Sequence, residues 1–124
     1  MHRFKNLKVW QKAMELAERV FVLTRDFPEE EKFGLIAQIR RSAVSVPSNI
    51  AEGAGRNSNQ DFARFLNIAN GSINELETQL LLAERLGFVE KDKLEETLSL
   101  VAEVQKMNYA MTKRLKNESG LGSV

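Results

Sequence analysis

Apolar residues recur along most of the chain at intervals of three and four, the spacing of amphipathic α-helices. Short polar connections interrupt this pattern, and they contain the helix-breaking residues Pro28 and Gly87 and the turn residue Asn57. No segment alternates with the period of two that marks a half-buried β-strand. The sequence therefore predicts an all-α protein. We place its helices at about residues 7–24, 29–56, 59–86 and 92–116.

Four amphipathic helices joined by short connections favour an up-down-up-down antiparallel four-helix bundle. Residues 1–116 form this single domain in our prediction. Residues 117–124 form a flexible C-terminal tail, because NESGLGSV has almost nothing to bury. In helix 1 we expect the buried side chains to be Trp10, Met14, Ala17 and Phe21, flanked by Ala13 and Val20. In helix 2 they are Phe33, Leu35, Ile36 and Ile39, and in helix 3 they are Phe62, Phe65, Leu66, Ala69, Ile73, Leu76, Leu80 and Ala83.

The stretch QIRRSAVSVPSNIAEGAGR, residues 38–56, carries its helical pattern straight through a proline. Its apolar residues keep one register from Ile39 to Ile50. Pro47 has no N–H to give the carbonyl of Ala43, so we predict a kink in helix 2 at this point. A break into two helices is the alternative, and the unchanged register favours the kink.

A second set of residues in this stretch forms a polar stripe on the opposite face of the helix. It includes serine, asparagine and glycine around a proline, which are poor helix formers, so helix propensity does not explain it. An antiparallel hairpin would place residues of helix 3 beside it and pair Arg41 with Glu75, Ser45 with Gly71 and Glu52 with Arg64. We use the name polar stripe for both sets together: Arg41, Ser45, Asn49, Glu52 and Arg56 of helix 2, and Arg64, Gly71 and Glu75 of helix 3.

Two uses of the polar stripe compete. Its pairs tie helices 2 and 3 together on the surface, where each contributes little, or a second subunit buries them and the pairing fixes the geometry. The poor helix formers favour the second use, an oligomer interface. A glycine in the middle of a helix costs about 1 kcal/mol relative to alanine. We therefore expect Gly71 to face a crowded neighbour.

The bundle topology separates charges that the overall composition conceals. The formal net charge is only +1, but one end of an up-down bundle would collect most of the cations. Acids at helix starts and bases at helix ends follow from the helix dipole, whereas lysines near the start of helix 1 do not. We call this cationic end the basic pole. Ordinary solvated charge that matches the helix dipoles is one interpretation of it, and a candidate nucleic-acid surface is the other. The residues of the basic pole are Arg3, Lys5, Lys8, Lys12, Arg56, Arg64, Lys113, Arg114 and Lys116.

The sequence contains few of the residues and motifs on which enzymes rely for catalysis. The only histidine is His2, there is no cysteine, and no Glu-x-x-His motif accompanies the helices. We assign no catalytic residues, no metal ligands and no cofactor, and we predict that the protein is not an enzyme and has no small-molecule substrate. No apolar run reaches the length of a membrane span, and the lack of cysteine suits a reducing compartment. A cytoplasmic protein without a membrane partner is the expectation.

Three segments resemble a known family: FKNLKVWQKAMELA, the stretch from residue 38 to 56, and FLNIANGSINELETQLLLAERLG. The combination of VPSNIAEG with GSINELE is similar to the 23S rRNA-intervening-sequence proteins, also called the four-helix bundle protein family. That family is similar in fold to the accessory variability determinant of diversity-generating retroelements. The resemblance implies a closed bundle, assembly into a homopentameric ring and a role in nucleic-acid binding, without catalytic residues.

The leading hypothesis is thus a bacterial, non-enzymatic homo-oligomer that associates with RNA or DNA through its basic pole. A structural or protein–protein interaction module without a nucleic-acid ligand is the alternative. A nearly neutral chain binds nucleic acid tightly only if several basic poles act together in a ring.

Overall fold

The computed structural model describes residues 2–118 and consists of four long α-helices, with no β-strand among these residues. Each helix packs against the next, and the last returns to pack against the first. This closed arrangement confirms the all-α four-helix bundle. The helices are α1 (Lys8–Thr24), α2 (Leu35–Ala54), α3 (Asn59–Arg85) and α4 (Lys91–Glu118), and short 3-10 turns lie at Phe4–Asn6 and Glu29–Glu31.

The connection before α2 differs from the prediction. We expected helix 2 to begin at residue 29, but the glutamates there form a separate 3-10 turn, and α2 begins only after Gly34. Glycine loses more backbone freedom in a helix than other residues, which favours a boundary at this point. Phe33 lies in the intervening turn with 90% of its surface exposed, so its assignment to the core was wrong.

At the chain ends, α4 continues to Glu118, slightly beyond the predicted end of helix 4. The predicted flexible tail falls mainly on residues 119–124, which lie outside the described part of the chain.

Helix α2 runs without interruption from Leu35 to Ala54 and contains Pro47 in its interior. The structure therefore rules out the break into two helices. Ile39, Ala43 and Val46 are fully buried on one side of the helix, as the unchanged apolar register required. The kink itself stays a prediction.

The core of α1 is rotated relative to our prediction. Leu16 and Val20 are fully buried, whereas Met14 and Phe21 keep 38% and 37% of their surfaces exposed. Trp10 is only partly buried. Apolar residues cover more than half of the circumference of α1, so a single helical stripe was not enough to decide which face turns inwards. Ala13, Ala17 and Val20 are buried as predicted, and the partly buried Trp10 packs against the core. The predictions that Met14 and Phe21 are core residues were wrong.

Helices α2 and α3 approach each other closely at Gly53. A Cβ atom added to this glycine would lie 2.7 Å from Cβ of Phe65 and 3.2 Å from the carbonyl oxygen of Phe62. Both partners belong to α3, and neither a Cβ nor a backbone oxygen can move without moving the helix. Gly53 is therefore the residue that permits this distance between the helices. The expected crowding at Gly71 is absent, since an added Cβ there meets no atom within 4 Å.

The sequence Ser58-Asn59-Gln60-Asp61 predicts an N-cap at the start of α3, and the structure confirms it. The hydroxyl of Ser58 accepts a hydrogen bond of 3.1 Å from the backbone N–H of Asp61, which satisfies one of the unpaired donors at the helix N-terminus.

We expect Ser58→Ala to lower the free energy of unfolding by about 1 kcal/mol, because it removes this acceptor. The matched control is Ser58→Gly, for which the expected cost is only a few tenths of a kcal/mol. Urea titration followed by circular dichroism measures both. Equal costs for the two variants would contradict a capping role.

One polar side chain, Asn108, lies inside the apolar seam between α3 and α4. It is 2% exposed, and its Nδ2 donates a hydrogen bond of 2.9 Å to the backbone carbonyl of Leu66. Its Oδ1 has no partner among the described residues. A directional bond from one helix to the backbone of another fixes how the two helices are placed along their axes, which an apolar contact does not.

Candidate nucleic-acid interface

The fold gathers the basic pole at one end of the bundle. The backbone N–H of His2 donates to the carbonyl of Ala54 at 2.9 Å, and the rings of His2 and Phe62 lie 5.1 Å apart. These contacts hold the N-terminal segment against the end of α2 and the beginning of α3. The start of α1 and the end of α4 lie at the same end, because Lys8 and Arg114 border one groove. These segments therefore lie together at one end of the bundle, and the nucleic-acid role of this end stays a prediction.

Two cations of the basic pole are neutralised within a cluster around Phe65. The guanidinium carbons of Arg56 and Arg64 lie 4.7 Å and 4.6 Å from the centre of its ring, a distance typical of cation–π contacts. Arg56 also forms an ion pair of 2.8 Å with Glu52, and Arg64 forms one of 3.0 Å with Asp61. With two arginines and two acids, this cluster adds no net charge to the surface.

Lys12 is likewise engaged by acids. Its Nζ lies 3.2 Å from Glu15 and 3.5 Å from Glu103 of α4. The hydrogen bond to Glu15, with the charge of Glu103, raises the pKa of the Lys12 amine above its ordinary value. Two carboxylates beside one amine leave no excess positive charge, so Lys12 contributes less to the basic pole than its position suggested.

Four cations remain available at this end. Within residues 2–118, the side chains of Arg3, Lys5, Lys8 and Lys113 form none of the ion pairs. All four residues are exposed. Positive side chains on the surface without an acid beside them are the groups that can exchange their counterions for phosphates.

Two depressions on the surface of the basic pole lie between helices. The first lies between α1 and α4, where Lys8 and Arg114 border a depression also lined by Met107 and Met111. The guanidinium group of Arg114 also forms an ion pair of 3.6 Å with Glu118. The second lies between the start of α3 and the end of α4 and contains Ser58, Gln60, Asp61, Ala63, Arg64, Asn67 and Lys116. Hydroxyl and amide groups beside cations suit contacts with a sugar–phosphate backbone.

The polar stripe makes bonds within the subunit that differ from those predicted. Ser42, not Arg41, donates to Glu75 at 2.8 Å, and the hydroxyls of Ser45 and Ser72 lie 2.9 Å apart. The register of the α2–α3 hairpin is therefore shifted by one residue from our estimate. The proposed pairings of Arg41 with Glu75 and of Ser45 with Gly71 were wrong. The pairing of Glu52 with Arg64 was also wrong, because each finds a partner closer along the chain.

The members of the polar stripe consequently fall into two groups. Ser45 and Asn49 are satisfied internally, since Asn49 Nδ2 donates to the Ser45 carbonyl at 2.8 Å and to its hydroxyl at 3.0 Å. Arg41 and Gly71 are exposed, and Arg41 forms no ion pair within residues 2–118. Glu75 is exposed as well. It accepts the hydrogen bond from Ser42 but forms no ion pair with the described part of the chain. These three residues stay candidates for contacts outside the subunit.

An apolar groove between α1 and α2 is the feature that the sequence interpretation missed. It encloses about 580 Å³ and is lined by residues of both helices. Met14, Phe21, Val22 and Val44 are its most exposed apolar members, with 37% to 52% of their surfaces accessible. The signal in the sequence was the width of the apolar face of α1, which exceeds what one core contact requires. The remaining lining residues are Trp10, Ala17, Glu18, Arg25, Pro47, Ser48 and Ala51.

The described residues contain no group of three His, Asp or Glu side chains close enough to hold a metal ion. None of the helices formed by residues 2–118 has both the length and the apolar character needed to cross a membrane.

Comparison with known proteins places the chain among small helical proteins. A family model described as "23S rRNA-intervening sequence protein" matches residues 5–110. A crystal structure of a protein of unknown function from the S23 ribosomal protein family of Bacteroides thetaiotaomicron is similar, with a TM-score of 0.76 and 30% sequence identity. The match covers 85% of this chain and 98% of the other. Neither description names an enzymatic activity. None of the curated proteins compared with the chain matches it.

Proposed function

Because the chain belongs to the 23S rRNA-intervening sequence protein family, we propose that it is a non-enzymatic, nucleic-acid-associated accessory protein that binds RNA or DNA through its basic pole. The observation that carries this proposal is the set of exposed cations without acidic partners, Arg3, Lys5, Lys8 and Lys113, at one end of the bundle. The protein acts in the cytoplasm and assembles into a homo-oligomer, a pentameric ring in the arrangement that we favour.

A ring of subunits would supply the number of unpaired cations that a single chain lacks. Four unpaired cations on one subunit give a weak, strongly screened attraction for phosphates. A ring would place every basic pole on the same side, so the positive potential would extend over an area that several turns of nucleic acid can cover. The near-neutral net charge of +1 then becomes compatible with binding. Acids pair with Lys12, Arg56, Arg64 and Arg114, but the four cations that carry this proposal form none of the ion pairs among the described residues.

Charge reversal at the basic pole tests the proposal. We expect the double variant Lys8→Glu, Lys113→Glu to bind RNA and duplex DNA at least about tenfold more weakly than the wild type at low salt. The slope of log affinity against log salt concentration should fall by about one for each lysine. Gel shifts at two or more salt concentrations measure both quantities.

The control is Lys91→Glu, Lys93→Glu, which reverses the same number of charges on exposed residues at the other end of the bundle. We expect its affinity to change by less than about twofold, because the sites lie beyond the Debye length of about 10 Å at moderate salt. Equal losses in both double variants would refute a localised binding surface. No shift with the wild-type protein at low salt would favour the protein-interaction module instead.

A further inference from the structure

We propose that the apolar groove between α1 and α2 binds the outer face of α3 from a second copy of this chain. This inference rests on the homo-oligomer in the proposed function and names the two surfaces that form its contact. The apolar side chains of Met14, Phe21, Val22 and Val44 line this groove, and 37% to 52% of their surfaces stay exposed within the subunit. An exposed apolar groove of this kind is typical of a protein interface.

The outer face of α3 offers an open, partly apolar surface for this contact. Gly71 lies in its middle, and an added Cβ at that position meets nothing within 4 Å. Nothing inside the subunit therefore requires glycine, although it costs about 1 kcal/mol relative to alanine in a helix. Ile68 and Leu82 are exposed by 43% and 45%, one turn before and three turns after the glycine on the same face. The missing side chain at Gly71 and the exposed apolar side chains of Ile68 and Leu82 leave a surface that the apolar side chains of the groove can cover.

Hydrogen bonds within the subunit show that the two surfaces lie at the same height. Arg40 of α2 donates to Thr24 of α1 at 2.9 Å, and Ser42 of α2 donates to Glu75 of α3 at 2.8 Å. Thr24 and Glu75 are thus level to within about one helical turn of 5.4 Å. Because α1 and α3 run in the same direction, Gly71 is level with the middle of the groove. Rotation about an axis parallel to the helices preserves this height.

Charges beside the two surfaces are complementary. Arg41 is exposed on α2 near Val44 of the groove, and Glu75 is exposed on α3 one turn after Gly71. Neither forms an ion pair within residues 2–118. In the proposed contact, Arg41 of one copy meets Glu75 of the next. Since the two surfaces are different, the contact is heterologous, and repeating it generates a ring when the rotation closes.

A mixing experiment tests the heterologous contact. Val44→Glu blocks the groove and leaves the α3 face intact, whereas Gly71→Trp blocks the α3 face and leaves the groove intact. We expect each variant alone to be a monomer. An equimolar mixture should give a dimer and nothing larger, because only one productive contact can form. Native mass spectrometry and light scattering measure the masses, and circular dichroism verifies that the helices are retained.

Ala102→Glu is the control, since it adds the same charge to an exposed residue of α4 away from both surfaces, and it should keep the wild-type mass. If Gly71→Trp keeps the wild-type mass, the contact is not heterologous and the inference is overturned. It is also overturned if Val44→Glu stays assembled, although the homo-oligomer then stands. A monomeric wild type refutes both assembly proposals. Loss of nucleic-acid binding alone would not alter these masses, because neither residue belongs to the basic pole.

Discussion

Replacing Gly53 with alanine is expected to lower the free energy of unfolding by about 2 kcal/mol or more. The added methyl carbon would lie 2.7 Å from Cβ of Phe65, 2.9 Å from the ring of Phe62 and 3.2 Å from its carbonyl oxygen. Alanine is the better helix former by about 1 kcal/mol, but relief of the overlap requires α2 and α3 to separate, and such overpacking typically costs 1–3 kcal/mol or more. Urea titration followed by circular dichroism measures the change.

Gly71→Ala provides the matched control, because it makes the same substitution at a glycine with open space around it. We expect it to raise the free energy of unfolding by up to about 1 kcal/mol. Both variants should be measured in the Val44→Glu background, which we expect to be monomeric, so that assembly does not contribute to stability. The prediction fails if the two substitutions change the midpoint in the same direction with an unchanged denaturant slope.

Replacing Asn108 with aspartate is expected to lower the free energy of unfolding by about 3 kcal/mol at neutral pH. Asn108 is 2% exposed, and its amide group donates to the carbonyl oxygen of Leu66 at 2.9 Å. A carboxylate in its place has no hydrogen to donate and would lie in a buried site against another oxygen. An uncompensated buried charge commonly costs 3–5 kcal/mol.

The cost should depend on pH in a defined direction. Burial raises the pKa of an introduced carboxyl group above its value of about 4 in the unfolded chain. Below that value both states are protonated, and the carboxylic acid can donate its hydrogen to Leu66, so the penalty from charge is absent. The penalty grows as the pH rises towards the pKa of the folded state.

Urea titrations between pH 3 and 8 on the Asn108→Asp variant and the wild type follow this difference. Asn70→Asp is the control at an exposed position of α3, and we expect it to stay within about 0.5 kcal/mol of the wild type. A pH-independent loss of stability in Asn108→Asp would show that the residue acts through packing and not through its donor group.

The parts of the fold that depend on local chemistry were predictable from the sequence. The cap at Ser58 follows from a hydroxyl placed before a helix with a backbone donor three residues later. The inward face of α2 follows from one unbroken apolar register between Ile39 and Ile50. Both features involve residues close together in the chain, whose geometry is nearly independent of the rest of the fold.

The parts that depend on how helices meet were not predictable in the same way. Helix α1 carries apolar residues on two faces, and only the position of its neighbours decides that Leu16 is buried and Met14 is not. The register of the α2–α3 hairpin depends on the geometry of its turn. A shift of one residue changed the partner of Glu75 from Arg41 to Ser42.

The candidate site was predictable in its location but not in its effective charge. Helix topology alone brings the cations to one end. Whether a cation is balanced depends on acids from other segments, as with Lys12 and Glu103, which come from different helices and lie 3.5 Å apart. Such pairs arise from the packing of α1 against α4 and have no signature in the local sequence.

The cations at this end of the bundle fall into a paired and an unpaired group, and this difference affects how the protein can evolve. Arg56 and Arg64 are held by acids and by the ring of Phe65, so their replacement disturbs the junction between two helices. Lys5, Lys8 and Lys113 have no ion-pair partner within residues 2–118, and their replacement leaves the junction intact. Mutation of the unpaired lysines can therefore change the surface charge of this end one residue at a time. Selection for a stable fold acts mainly on the paired arginines and their partners. Descendants of one stable scaffold can thus diverge in what they attract without first losing their shape.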